Sequence, residues 1–168
     1  MNHLLVEENG HYGIDCSNAI WSTDKVNRVY HDSSVQLKDV DFIIESEDKL
    51  LLVEYKNSKI GGAVKPESFH PFHDKKVNSV IDKFYDSLHY LTLLEKDKPK
   101  YYIYILEHKN GDCTSRKRMR NRLKKHLPFK LQEEIGNGKK LIESIEVLSI
   151  DEWNSNEIYK DFPLKQIV

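Results

Sequence analysis

The chain has 168 residues, of which 32% are charged and 39% hydrophobic, with a net charge of −1 at neutral pH. That length suits one domain with a sizeable core, and the balanced charge means that any affinity for polyanions must come from local patches. No apolar run approaches the roughly 20 residues of a membrane span, and the mean hydropathy is −0.64, so a soluble cytoplasmic protein with no membrane partner is expected. The opening MNHLLVEENG has no basic segment before an apolar one and no small-residue cleavage site, so no signal peptide is read there. Cys16 and Cys113 are far apart and in no metal spacing, and are expected to be free thiols.

From the N-terminus, Leu4-Leu5-Val6 and Tyr12-Gly13-Ile14 read as two short strands around Asn9-Gly10, a strong hairpin dipeptide. Asp15 to Trp21 reads as a short helical turn, Lys25 to Tyr30 as a short strand, and His31-Asp32-Ser33-Ser34 as the turn that follows. Val35 to Lys59 holds the most regular pattern of the chain. Leu37 to Ile44 and Leu50 to Lys56 each show the period of two of a half-buried strand, with the polar cluster Glu45 to Lys49 as the turn between them. A turn centred between Glu47 and Asp48 sets Asp41 opposite Glu54, Asp39 opposite Lys56 and Ile43 opposite Leu52, all on one face. Val40, Phe42, Ile44, Leu51, Val53 and Tyr55 take the other face.

Two carboxylates directly opposite have β-carbons about 5 Å apart, and like charges so placed destabilise a sheet. Burial beside them raises that cost. A divalent cation between them removes the objection, because Mg²⁺ is held by one or two carboxylates plus water and phosphate oxygen. Lys56 points to the same face, within reach of a phosphate or water beside the metal. The plainer reading is an exposed hairpin with Asp41 paired to a lysine and Glu54 solvated. Against it stand the runs Ile43-Ile44 and Leu50 to Val53, which suit central strands covered on both sides.

After Lys56 come Asn57-Ser58-Lys59 and the loop Ile60-Gly61-Gly62, and PESFHP (66–71) breaks any regular element. His70 and His73 fall near this loop and read as solvated. From Asp74 to Glu95 the period becomes helical, with Val77, Val80, Ile81, Phe84, Leu88, Leu91 and Leu94 as a core-facing stripe. Lys75, Lys76, Asp82, Lys83 and Asp86 fall on or near the other side, where a solvated face is the default. Glu95 to Lys100 is a charged loop, and Tyr101 to Glu107 is a near-continuous β-forming run suited to a strand inside a sheet, where core packing is favoured over base stacking for the tyrosines aligned with Ile103 and Ile105.

Asn110-Gly111-Asp112 reads as a turn, followed by a helix with Thr114 or Ser115 as its N-cap. No acidic residue occurs from Cys113 through Gln132, while Arg116, Lys117, Arg118, Arg120, Arg122, Lys124 and Lys125 do. Met119, Leu123 and Leu127 leave one narrow stripe for docking. Cations concentrated on one helix build a local positive field, and arginine suits phosphate geometry. Nucleic-acid contact by Arg116, Lys117, Arg118, Arg120, Arg122 and Lys124 is the favoured reading; an acidic protein partner is its rival. Pro128 ends that helix. Leu131 to Ile135 is a short helix, Ser144 to Ile150 a last strand at a sheet edge, and Asp151-Glu152-Trp153 leads into an irregular tail.

An Asp at the end of one strand and Glu-x-Lys on the next, here Asp41 and Glu54-Tyr55-Lys56, resembles the PD-(D/E)XK nuclease superfamily. The phrasing DVDFIIE…LLLVEYKN is similar to small bacterial members, and the resemblance covers Val35 to Leu106. It departs from the pattern in having Val40 where a proline often stands, and in lacking an obvious glutamate on a preceding helix. Glu7, Glu8, Asp15 and Asp24 are each candidates for a third ligand; spacing favours none, and surface carboxylates are the plainer reading of all of them.

The resemblance implies a restriction-endonuclease-like α/β fold, a mixed central sheet flanked by helices, in one domain over 1–168. It implies a metal-dependent (endo)nuclease acting on nucleic acid, DNA foremost, with Asp41, Glu54 and Lys56 catalytic. Asp41, Glu54 and the main-chain carbonyl of Tyr55 would hold Mg²⁺ (or Mn²⁺), and the first turns of the helix after Glu-x-Lys would flank the site, where Lys76 or Lys83 would reach phosphate, against the default of a solvated face. A homodimer, common among nucleases that cut both strands, is compatible with the chain. The alternative is a degenerate member that binds nucleic acid without cutting it, or a protein-interaction module of the same fold.

Overall fold

The structure, a computed structural model, describes residues 3–59 and 70–168. The expected glycine loop at 60–62 and most of the PESFHP segment lie outside these residues.

The sheet that carries the site forms because Leu50 to Val53 and Tyr102 to Leu106 are apolar at every position. Strands of that kind are stable only when both faces are covered. They become β5 (Leu50–Asn57) and β6 (Lys100–Glu107), paired in parallel at the centre of a five-stranded mixed sheet. β4 (Phe42–Glu45) adds antiparallel to β5, and β3 (Trp21–Thr23) antiparallel to β4. β7 (Ser144–Leu148) closes the far edge in parallel with β6, as its alternating burial requires. The β4–β5 register pairs Phe42 with Val53, Ile43 with Leu52 and Ile44 with Leu51, the alignment that the Glu47–Asp48 turn implies.

Three helices cover one face: α1 (Val26–Asp32), α2 (Asp74–Leu93) and α3 (Cys113–Lys124). Val26 and Tyr30 of α1, Val77, Val80, Ile81, Phe84 and Leu91 of α2, and Met119 and Leu123 of α3 meet Leu52, Tyr102, Tyr104 and Leu106 of the sheet. The expected α2 stripe is correct except at its end, where Leu94 lies beyond the helix and is exposed. The other face is covered by a small sheet of β1 (Leu4–Val6), β2 (Tyr12–Asp15) and β8 (Leu164–Gln166), in the order β1-β2-β8, together with α5 (Ile150–Ser155). Trp153, stacked on Tyr159 with ring centroids 4.7 Å apart, fills that layer against Phe42, Ile44, Val53, Ile103 and Ile105. The fold class is thus the expected one, a mixed α/β architecture with a mixed central sheet flanked by helices.

Several local expectations fail, each for an identifiable reason. Lys25 to Tyr30 is not a strand: Val26 and Tyr30 are four apart and share the buried face of α1. Its tyrosine hydroxyl donates to the Asp86 carbonyl at 2.6 Å. The first strand of the central hairpin begins at Phe42, not Leu37. The preceding backbone is satisfied by α2 instead of a strand, since Lys38 N–H donates to Asp86 Oδ2 (2.9 Å) and Val40 N–H to Ser87 Oγ (3.0 Å). Val40 accordingly packs on the helix side, opposite to the face expected for it.

Trp21 starts β3 and does not close a helical turn. The N-cap of α3 is Asp112, in a reciprocal capping box with Ser115. A short helix, α4 (Phe129–Ile135), follows α3. The C-terminal region is no irregular tail. Ser149 and Glu152 form a capping box that starts α5, and the chain then returns to pair β8 with β2.

Candidate active site

The β4–β5 ladder stops at Phe42–Val53, and Asp41, the residue before it, lies past the end of the hydrogen-bonded pairing, near enough to Glu54 for its charge to act on that carboxyl. Asp41 substitutes its side chain for the missing strand, accepting from Tyr55 N–H through Oδ2 at 2.8 Å. In a strand the N–H and C=O of one residue point to the same side. The Tyr55 carbonyl therefore opens on the edge that β4 has vacated, beside the Asp41 carboxylate. One register thus brings together two carboxylates and a main-chain oxygen, all hard donors.

Glu54 is fully buried, and one of its two oxygens, Oε2, has no hydrogen-bond partner among the described residues. The other, Oε1, accepts from Lys83 Nζ at 2.5 Å. Burial, with the Asp41 charge second, pushes the Glu54 carboxyl up to about 8, against the pull of Lys83 and Lys56. Asp41 is raised by burial too, opposed by its Tyr55 hydrogen bond and the two lysines. Desolvation acts to lower Lys83, yet the attraction of Glu54 outweighs it and the ammonium is held above its ordinary value.

Asp41, Lys56 and Lys83 line a cleft of about 790 Å³ with Asp39, Asp24, Asn27, Glu7 and Glu8. The structure therefore gathers Asp41, Glu54, Lys56 and the Tyr55 backbone at one place. It adds Lys83, expected to be solvated, as a fourth charged side chain. The signal for it was faint: Lys83 stands next to Phe84 and three residues after Val80, at the border of the apolar stripe, so its stem follows the core while its head reaches Glu54.

The four candidates for a third carboxylate separate. Glu7 lies at the cleft, but its oxygens hold the β1–β2 turn through Asn9 N–H (2.8 Å) and His11 N–H (2.7 Å). Asp15 points elsewhere, bonded to Lys165 at 2.6 Å and to Ser17, which lower its pKa. Glu8 and Asp24 stand on the exposed rim. Among the described residues no group of three or more His, Cys, Asp or Glu side chains is placed to hold one metal ion. Of the loop histidines, His73 caps α2 by accepting from Lys75 N–H.

The basic helix divides in two. Arg116 is turned inward, its Nε donating to Glu152 at 2.5 Å, and Arg122 ties α3 to the start of α2 through Asp74 and the Phe72 carbonyl. Lys117, Arg118 and Lys124 are exposed, and Arg120 is half-buried against Asn121. So two of the six residues expected to meet nucleic acid serve the fold, and an outward row remains. Compared with family models, with curated proteins and with solved structures, the chain finds no significant match.

Proposed function

We propose that the protein is a metal-dependent nuclease that hydrolyses phosphodiester bonds, with DNA as the foremost substrate. The observation that carries this reading is the Asp41–Glu54 pair at the open end of the β4–β5 ladder, with Glu54 Oε2 buried and without a hydrogen-bond partner among the described residues. A buried carboxylate oxygen left without a donor is costly. Together with Asp41 and the Tyr55 carbonyl it offers the oxygen-only donor set that suits Mg²⁺ or Mn²⁺. A bound divalent ion would supply a more acidic water and neutralise charge growing on the phosphate.

The chain's own residues do the rest. Lys56 lines the cleft beside Asp41 and has no ion-pair partner among the described residues, so its ammonium is available to a phosphate oxygen or to the attacking water. Tyr55 holds Asp41 in place through its backbone N–H. Lys117, Arg118 and Lys124 supply phosphate contacts that carry no sequence information. Supercoiled plasmid and linear DNA incubated with Mg²⁺, Mn²⁺ or EDTA test the reading. Cleavage should need the metal and should disappear in Glu54→Ala and Lys56→Ala while the circular dichroism spectrum is kept. Parent-rate cutting by either variant would refute the assignment.

A second reading is favoured by Lys83, whose ammonium already sits on Glu54: a nucleic-acid-binding module of the same architecture that does not cut. Titration calorimetry with Mg²⁺ and Mn²⁺ separates the two, since only the nuclease reading requires a metal isotherm that is lost in Glu54→Gln.

A further inference from the structure

We infer that Lys83 is a tethered counter-ion that makes metal loading depend on the arrival of a phosphate: it occupies Glu54 in the empty site and passes to a phosphate anion when a divalent ion takes its place. This deepens the metal-dependent reading above and rests on it. The ammonium contacts Glu54 Oε1 at 2.5 Å, on the same carboxyl group whose Oε2 has no hydrogen-bond partner among the described residues. A divalent ion drawn to Glu54 must therefore compete with a cation already held there on a short arm. Lys83 also lines the cleft and keeps a side-chain exposure of 20%, so once displaced its head moves into the cleft and not into the core.

The charge balance points the same way. Asp41 and Glu54 face Lys56 and Lys83, two carboxylates against two ammonium groups, so the four charges balance. A divalent ion then leaves an excess of positive charge in a desolvated place. Asp39, which accepts from Asn27 at 3.0 Å, reduces that excess without removing it. Lys38, also at the cleft, is paired with Asp82 at 3.1 Å. Glu7 adds a carboxylate to the cleft lining, but its oxygens are taken up by Asn9 and His11 N–H at the β1–β2 turn and are not offered to the ion, and Glu8 and Asp24 are out on the solvated rim, where water screens them. An anionic phosphate supplies the missing charge, and the lysine released from Glu54 is the group placed to meet it. By linkage, whatever the phosphate contributes to metal affinity the metal contributes to phosphate affinity.

The test is Mn²⁺ titration of the full-length protein, followed through the electron-paramagnetic-resonance signal of the free ion, with saturating thymidine 5′-monophosphate, with thymidine, or with neither. The monophosphate contains no diester to cleave, so binding is read without turnover. The wild type should bind Mn²⁺ about tenfold more tightly with the monophosphate and unchanged with the nucleoside, a factor typical of coupled sites. Lys83→Gln, whose amide still donates to Glu54 but carries no charge, should bind Mn²⁺ more tightly than the wild type when no nucleotide is present, and the nucleotide effect should fall to within about twofold. Lys83→Arg should keep the coupling.

Equal metal affinity with and without the monophosphate in the wild type overturns the inference while leaving the nuclease reading intact. So does coupling of the same size in Lys83→Gln. Absence of Mn²⁺ binding under every condition overturns both. The wild-type comparison needs no variant, and thermal melts of both variants check that they fold.

Discussion

Glu54 is a carboxyl group buried beside a second one, and its titration has a consequence for the apoprotein that does not depend on catalysis. Its folded-state pKa, about 8, lies above that of an unfolded glutamate. The folded protein therefore binds the proton more tightly than the unfolded chain, and stability falls as pH rises from the ordinary carboxyl range through 8. Glu54→Gln resembles the protonated form at every pH. Denaturant midpoints of wild type and Glu54→Gln should coincide near pH 5 and separate steadily up to pH 9, the wild type becoming the weaker. A pH-independent gap between them would contradict the burial argument.

The nearness of Asp41 to Glu54 was legible in the sequence because a two-residue period and one turn suffice to set the antiparallel register that ends at Phe42 and Val53. The hold of Lys83 on Glu54 was not, because a helix on one side of the sheet had to be placed over a strand 29 positions away.

At the level of the elements, α3 clamps the fold and, on the reading proposed above, meets nucleic acid, and its composition does not separate the two. Arg122 clamps the start of α2, and its loss by Arg122→Ala should destabilise the fold by about 1 kcal/mol, with nucleic-acid affinity changed little. Lys117→Glu and Arg118→Glu alter exposed positions, so the melting temperature should barely move. Their binding to random-sequence DNA should weaken, and the dependence of log K on log salt should become shallower, by about 0.9 for each phosphate no longer neutralised. A gel-shift series across salt concentrations distinguishes the two classes; a fall in DNA affinity in Arg122→Ala equal to that in Arg118→Glu would erase the distinction. The run of basic residues identified the helix, while the partners that turn Arg116 and Arg122 inward, Glu152 and Asp74, come from distant segments.

In the molecule as a whole, the two ends of the β4–β5 hairpin carry opposite commitments. Asp41, at the open end, faces the cleft. Glu45, at the turn end, is buried and locked between Lys96 (2.7 Å) and Lys98 (2.9 Å), with Lys96 also 4.5 Å from the centre of the Trp21 ring. Lys96 first, and then Lys98, hold the Glu45 carboxyl below its ordinary value. A depressed folded-state pKa contributes stability above the unfolded carboxyl value and loses it as pH falls through the folded one. Glu45→Gln should therefore lose stability at pH 7 and converge on the wild type in acid, with the proposed DNA cleavage unaffected. Across the sheet, Trp153→Ala removes a fully buried ring from the second layer and should cost about 3–5 kcal/mol, measured by denaturant unfolding.

What this sequence determined by itself is what short-range periodicity and turn chemistry can encode. It specified the hairpin and its register, the α2 stripe short of Leu94, the buried strand from Tyr101 to Glu107, one residue short of its observed start, and the docking edge of α3 at Met119 and Leu123. Each of these is set within a few neighbouring residues. The tertiary structure alone decided where α2 crosses β5, and so which lysine meets Glu54. It decided that the backbone of residues 38–40 is satisfied by Asp86 and Ser87, and that Leu164–Gln166 returns to cover β2. Those outcomes depend on which distant groups satisfy a buried polar atom or cover an apolar face, and local spacing does not encode that partner.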